Sequence, residues 1–236
     1  MAEQSPSVAA QYRGAFAAAT WFPIGAEELT RVRAAVAREP AVAGSPGLQH
    51  FVDPKSGLFP EQRAYVLARL SARAGDSSAA LRALEDARAG GPLAADPDAI
   101  ATLTQQIRAQ LLARRGRAAE ALRLVGGRVL PVATSLPTLP SFRTADARFL
   151  RAELLRMVGR DDDALAMYAT FPDPNGYDLM YLAPAHLRQA EILDRRGDRA
   201  GARAHFQRFV ALWAECDPEL RPQVDAVRRR LAALGL

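Results

Sequence analysis

Apolar positions along this chain recur at intervals of three and four, the spacing of one face of an α-helix. The clearest stretch is residues 181–213. Its first half places Leu182, Leu187, Ala190 and Leu193 on one face, and its second half places Ala202, Phe206, Phe209 and Val210 on another. Gly197 stands between them, where a chain that must stop a helix and reverse favours a residue that tolerates the left-handed conformation; Arg195 and Arg196 in the preceding turn suit the helix dipole. Neither stripe can be buried by its own helix, so the pair requires neighbours.

The same punctuation appears upstream at Gly75, Gly116 and Gly159, at intervals of 41, 43 and 38 residues through Gly197. Seven residues before the glycines stand Ala68, Ala109, Ala152 and Ala190, and five after them stand Ala80, Ala121, Ala164 and Ala202. Small residues at both places let paired helices cross closely. Nine after each glycine come Leu84, Val125, Tyr168 and Phe206, and four before it Ser71, Leu112, Leu155 and Leu193. Alanine is abundant here, yet one register holding all eight positions is hard to reach by chance.

Further elements follow from stripes and punctuation. Residues 7–20 and 26–38 read as helices, the second with Leu29, Val32 and Val36 as its stripe, and together they form a degenerate first hairpin that caps a stack. Residues 39–59, dense in Pro and Gly, read as a linker. Helices are expected from Pro60 and from Ser77, then one opened by Asp96 as N-cap with Pro97 and carrying Leu103, Ile107 and Leu111, and a short one ending at Val125. Residues 128–141 form a proline-rich irregular loop whose role stays open. Ser141 reads as an N-cap of the next unit, and Asp217-Pro218 as the start of a last helix with Val224, Val227, Leu231 and Leu234. The expected organisation is 1–59 as N-terminal hairpin and linker, 60–215 as repeats, and 216–236 as a C-terminal covering helix.

This pattern, over about residues 60–213, resembles the tetratricopeptide repeat (TPR), a helical hairpin with a small residue in mid first helix, Gly at the turn, Ala early in the second helix and an aromatic a turn later. The spacing exceeds that family's usual interval of about 34 residues, which implies longer loops between hairpins. The closing run, with its ALW, ECDPEL and RP segments, is similar to the C-terminal TPR region of some bacterial serine/threonine kinases and adenylate-cyclase-like regulators, although no kinase motif is present. The resemblance implies an all-α, right-handed α-solenoid, and a concave face built from the first helices on which a peptide or partner helix lies. Two, six and ten residues before the hinges, that face would present Arg73, Arg114 and Arg195; Arg69, Gln110, Glu153 and Glu191; and Tyr65, Gln106 and Phe149. Its early part is basic and suited to carboxylates, and its later part adds acidic groups. The alternative is that these are ordinary solvated helix faces.

The net charge of +5 and sequence pI near 10.0 invite a nucleic-acid reading, with Arg228 to Arg230 as the best patch. Lys55 is the only lysine, however, and an arginine bias of this kind is what GC-rich coding yields. Interspersed acidic residues and few aromatics for base stacking also disfavour nucleic acid as partner. A protein or peptide ligand is the expected partner, and an arginine-rich nucleic-acid-binding repeat the alternative. Cys216 is the only cysteine, so neither an internal disulfide nor a cysteine-rich metal site is expected. No stretch reads as a signal peptide or membrane span, and the expected compartment is cytoplasmic. The aspartates 161–163 read as a favourable first turn of a helix rather than a metal site. His50, His186 and His205 lack metal-ligand spacing, although His186 and His205 could meet across the last hairpin. No catalytic constellation, cofactor or metal site is expected; an enzyme built on the helical array would need His186, His205 and a carboxylate in one pocket.

Overall fold

The computed structural model describes residues 6–39, 60–88, 97–125, 145–171 and 178–235. Within them lie eleven α-helices and, among the described residues, no strand. The fold is all-α. The helices are α1 Pro6–Ala18, α2 Ala26–Arg38, α3 Pro60–Ala74, α4 Ser77–Arg88, α5 Pro97–Arg114, α6 Ala118–Val125, α7 Ala145–Met157, α8 Asp161–Tyr168, α9 Leu179–Arg195, α10 Arg199–Leu212 and α11 Arg221–Ala233. The chain divides into two compact units, 1–144 and 145–236. That division falls inside the expected repeat region rather than at residue 59; the expected linker, the loop 128–141 and the Ser141 cap lie outside the described residues.

Four tight turns of one construction join α3 to α4, α5 to α6, α7 to α8 and α9 to α10. At each, the hinge glycine has a positive φ of 74° to 84°. The amide of the following residue closes onto a carbonyl five back: Asp76 on Ser71, Arg117 on Leu112, Arg160 on Leu155 and Asp198 on Leu193, at 2.9 to 3.0 Å. This is a Schellman closure, which satisfies helix-end carbonyls and needs a left-handed residue. The second helix then starts in one of two ways. Asp76 and Asp198 cap it through their side chains, accepting from the amides of Ala79 and Gly201 at 2.9 Å. Arg117 and Arg160, which cannot cap, instead pair with an acid three residues on, Glu120 and Asp163.

All eight register alanines are 0% exposed. A larger side chain there would have to push two helices apart, which explains why alanine recurs at those positions. In the first unit, α3 is covered on two sides. Tyr65, Ala68 and Ala72 pack with Ala80 and Leu84 of α4 and with Leu103, Ile107 and Leu111 of α5. Val66 and Leu70 pack with Ala17 and Ala18 of α1 and with Leu29, Val32 and Val36 of α2. A Cβ on Gly14 would stand 2.7 Å from Val66 and 3.0 Å from Val36, so a glycine lets α1 settle here.

In the second unit, α7 and α8 form one hairpin and α9 and α10 the next, and α9 packs on both partners. Val224, Val227, Leu231 and Leu234 bury in one cluster with Leu187, Ala190, Phe206 and Phe209, so α11 covers the last hairpin. That helix begins at Arg221, not at the expected Asp217-Pro218. Residues 217–220 close a separate turn, Leu220 N–H on the Asp217 carbonyl at 3.0 Å, and Pro222 occupies the first helical turn instead. Among the described residues no helix is long and apolar enough to cross a membrane.

Candidate functional site

The ten residues expected on a binding face fall into two sets, six in the first unit and four in the second. In the first unit most of them form a seam. The Tyr65 hydroxyl donates to Oε1 of Gln106 at 3.0 Å, joining α3 to α5. Tyr65, Arg69, Gln106 and Gln110 are all buried. The Arg69 guanidinium lies 5.8 Å from the Tyr65 ring centroid, within cation–π range. The expectation that these four line an open face is therefore corrected, because α3 is flanked by α1 and α2 on one side and by α4 and α5 on the other.

Arg73 is half-buried and serves the end of α1. Its Nη1 donates to the carbonyls of Ala17, at 2.8 Å, and Ala19, and its Nη2 donates to that of Phe22. Helix-end carbonyls carry partial negative charge and lack intrahelical partners, so a guanidinium fork fits them. Arg114 is exposed; its Nη2 lies 3.6 Å from where a Cβ on Gly75 would stand. Burial, followed by the charges of Arg114 and Arg69, pushes the Arg73 pKa down to about 10. Arg114 and Arg69 thus both lie close enough to Arg73 for their charges to act on it.

In the second unit Phe149 is a core residue. Its ring centroid lies 5.7 Å from Tyr168, 6.1 Å from Phe171 and 5.2 Å from Tyr181. Glu153 stands at the centre of a polar cluster. It accepts from Arg156 Nη2 at 2.9 Å, from Arg188 Nε at 3.1 Å and from the Tyr168 hydroxyl. Burial alone would raise the Glu153 pKa, but Arg188 and Arg156 outweigh it and hold the carboxyl below its usual range. Burial, then the Glu153 charge, pushes the Tyr168 phenol up. Glu191 is half-buried and bound to Arg188 at 2.8 Å, and exposed Arg195 reaches Asp161 at 3.2 Å. Phe149 is thus buried and Glu153 half-buried among partners of this chain.

The remaining candidate chemistry resolves into pairings between neighbouring elements. Asp161 takes Arg195 and Arg196, Asp162 takes Arg196 at 2.5 Å, and Asp163 takes Arg160 at 2.7 Å. Within the arginine triplet, Arg228 pairs with Asp225, and Arg230 makes a fork with both oxygens of Asp194 at 2.6 and 2.7 Å. Among the described residues no group of three or more His, Cys, Asp or Glu is placed to hold a metal ion. His186 and His205 do meet, Nδ1 to Nδ1, at 2.9 Å.

Sequence reading did not anticipate Arg148, which lies over the Phe171 ring at 4.5 Å and bonds Asp178 at 2.6 Å, pinning the start of α9. The signal for the Glu153–Arg188 pair was present, since acid and base stand about one repeat apart on successive first helices. In comparisons with protein-family models, curated proteins and solved structures, nothing matched this chain.

Proposed function

We propose that this chain is a right-handed α-solenoid of TPR-like hairpins acting as a non-catalytic scaffold that binds a protein or peptide ligand. The setting implied by the resemblance of its closing run is bacterial signalling or regulation, and the compartment is the cytoplasm expected where no signal peptide or membrane span is read. An acidic group of the ligand docks at Arg114, backed by Arg73 and Arg69. The observation that carries this reading is the placing of Arg114 and Arg69 near Arg73, where burial first, and then their charges, lower the Arg73 pKa to about 10. A carboxylate arriving there offsets those charges and takes a charge-assisted bond from the exposed Arg114. Supporting it are the four like hinges and eight fully buried alanines, the small-residue spacing on which the resemblance rests. The arginine-rich nucleic-acid alternative loses support, because Arg228 and Arg230 of its best patch are committed to carboxylates of this chain.

The test is a pull-down from the native host's lysate with the wild type and Arg114→Glu, each checked for unchanged helicity by circular dichroism. Arg114 is the residue to change because it is exposed, whereas Arg69 and Arg73 hold the unit together. A protein retained by the wild type and lost by the variant supports the reading. Identical partners on both baits overturn the docking position, and loss of all partners on nuclease treatment, with steep salt dependence, moves the assignment to nucleic acid.

A further inference from the structure

His186 of α9 and His205 of α10 face each other across the last hairpin, both half-buried, with Nδ1 atoms 2.9 Å apart. Their ring centroids are 5.1 Å apart and the planes are inclined by 38°. The centroid distance exceeds the contact by only about 1.1 Å at each end, roughly the distance from an imidazole centre to its nitrogen, so the two rings meet head on. Head-on lone pairs at this separation leave no room for a metal between them, since each metal–nitrogen bond takes about 2 Å. They do fit a single shared proton.

We infer that His186 and His205 form a proton-counting latch between α9 and α10, closed while one Nδ1 proton is shared and released when both rings are charged. In the neutral pair one ring donates its Nδ1–H and the other, protonated at Nε2, accepts through its Nδ1 lone pair. A first added proton enters at Nε2 of the donor ring. The contact survives and becomes charge-assisted. A second must enter at Nδ1 of the acceptor ring, so that two N–H groups and two positive charges confront each other at the distance of one hydrogen bond. That step breaks the latch.

The surroundings oppose the second charge. Ala202, Phe206 and Phe209 of α10 and Leu187 and Ala190 of α9 share one buried cluster. Burial lowers the pKa of His205, and no charged group offsets it. On the elements packed with this hairpin, Glu153 of α7 pairs with Arg156 and Arg188, Glu191 of α9 with Arg188, Asp161 and Asp162 of α8 with Arg195 and Arg196, and Asp194 of α9 with Arg230 of α11. Arg203 of α10 bonds the Leu234 carbonyl at 3.0 Å, and Arg208 stands one turn beyond His205.

The test is an NMR titration of the imidazole nitrogens in the full chain, wild type and His205→Asn. Two steps separated by more than about one pH unit are expected in the wild type, the lower one marking the second proton. In His205→Asn, His186 should titrate in one step. Urea melts at about pH 7 and about pH 5 should show a larger acid loss for the wild type than for the double variant His186→Asn/His205→Asn. Coincident titrations of the two rings, or equal acid losses, would overturn the inference. The wild-type titration decides the matter even if a variant folds poorly.

Discussion

The Tyr65 hydroxyl and the Gln106 side-chain carbonyl, 41 residues apart, meet at 3.0 Å in the seam between α3 and α5. Both groups are buried, so the bond satisfies two polar atoms that water cannot reach. Tyr65→Phe keeps the ring and strands the Gln106 oxygen. The expected loss is about 1–3 kcal/mol, read as a lower urea midpoint with an unchanged slope.

Arg73→Gln removes the fork that gathers the carbonyls of Ala17, Ala19 and Phe22. The Ala19 carbonyl keeps its bond from the Phe22 amide, but loss of the charge-assisted donors should still cost about 1.5–3 kcal/mol. Hydrogen exchange should locate the loosening in α1 and α2 and leave α9 and α10 at wild-type protection.

Glu153→Gln leaves Arg156 and Arg188 without their shared counter-charge. Breaking such a buried cluster should cost about 3–5 kcal/mol near neutral pH. The Glu153 pKa is lowered on folding from 4.5, so its stabilisation is present above pH 4.5 and is lost as pH falls below it. In acid titrations the wild type should therefore lose more stability than Glu153→Gln below that pH, and the two curves should converge.

At Gly159, with φ of 78° and nothing within 4 Å of an added Cβ, the obstacle to a side chain is backbone strain alone. Gly159→Ala should lower stability by about 1–2 kcal/mol, and Gly159→Asn by less, since Asn visits the left-handed region more readily. Thermal melts of the two variants give the order.

Hinges and register alanines were legible in the sequence because each depends on residues within about three turns of one another. A Schellman closure needs a left-handed residue at a fixed offset, and a close crossing needs a small side chain, so both leave marks in a single stretch. The burial of the residues expected on a binding face was not legible in the same way. Placing Tyr65, Arg69, Gln106 or Gln110 inside or outside depends on how α1, α2 and α5 settle against α3, and contacts such as Arg73 to Ala17 span 56 residues. The aspartates of α8 show both sides. Their place in a first helical turn was readable, but their pairing with Arg195 and Arg196, 34 residues on, depends on the neighbouring hairpin. The start of α11 was misplaced at Asp217-Pro218, because residues 217–220 close a turn of their own and the helix begins at Arg221 with Pro222 in its first turn.

The two ways of starting the second helix have a consequence for how such a chain can be rearranged. Asp76 and Asp198 bond amides three residues on, and Arg117 and Arg160 bond acids at the same distance, so each turn's chemistry is carried within its own few residues. A hairpin copied or transplanted as a cassette would bring its closure with it. Recombination that cut between the residue after the glycine and its partner three positions later would mismatch them, placing an Arg before Ala or an Asp before Glu. Within a turn the residue after the glycine and its partner three positions on must be inherited together.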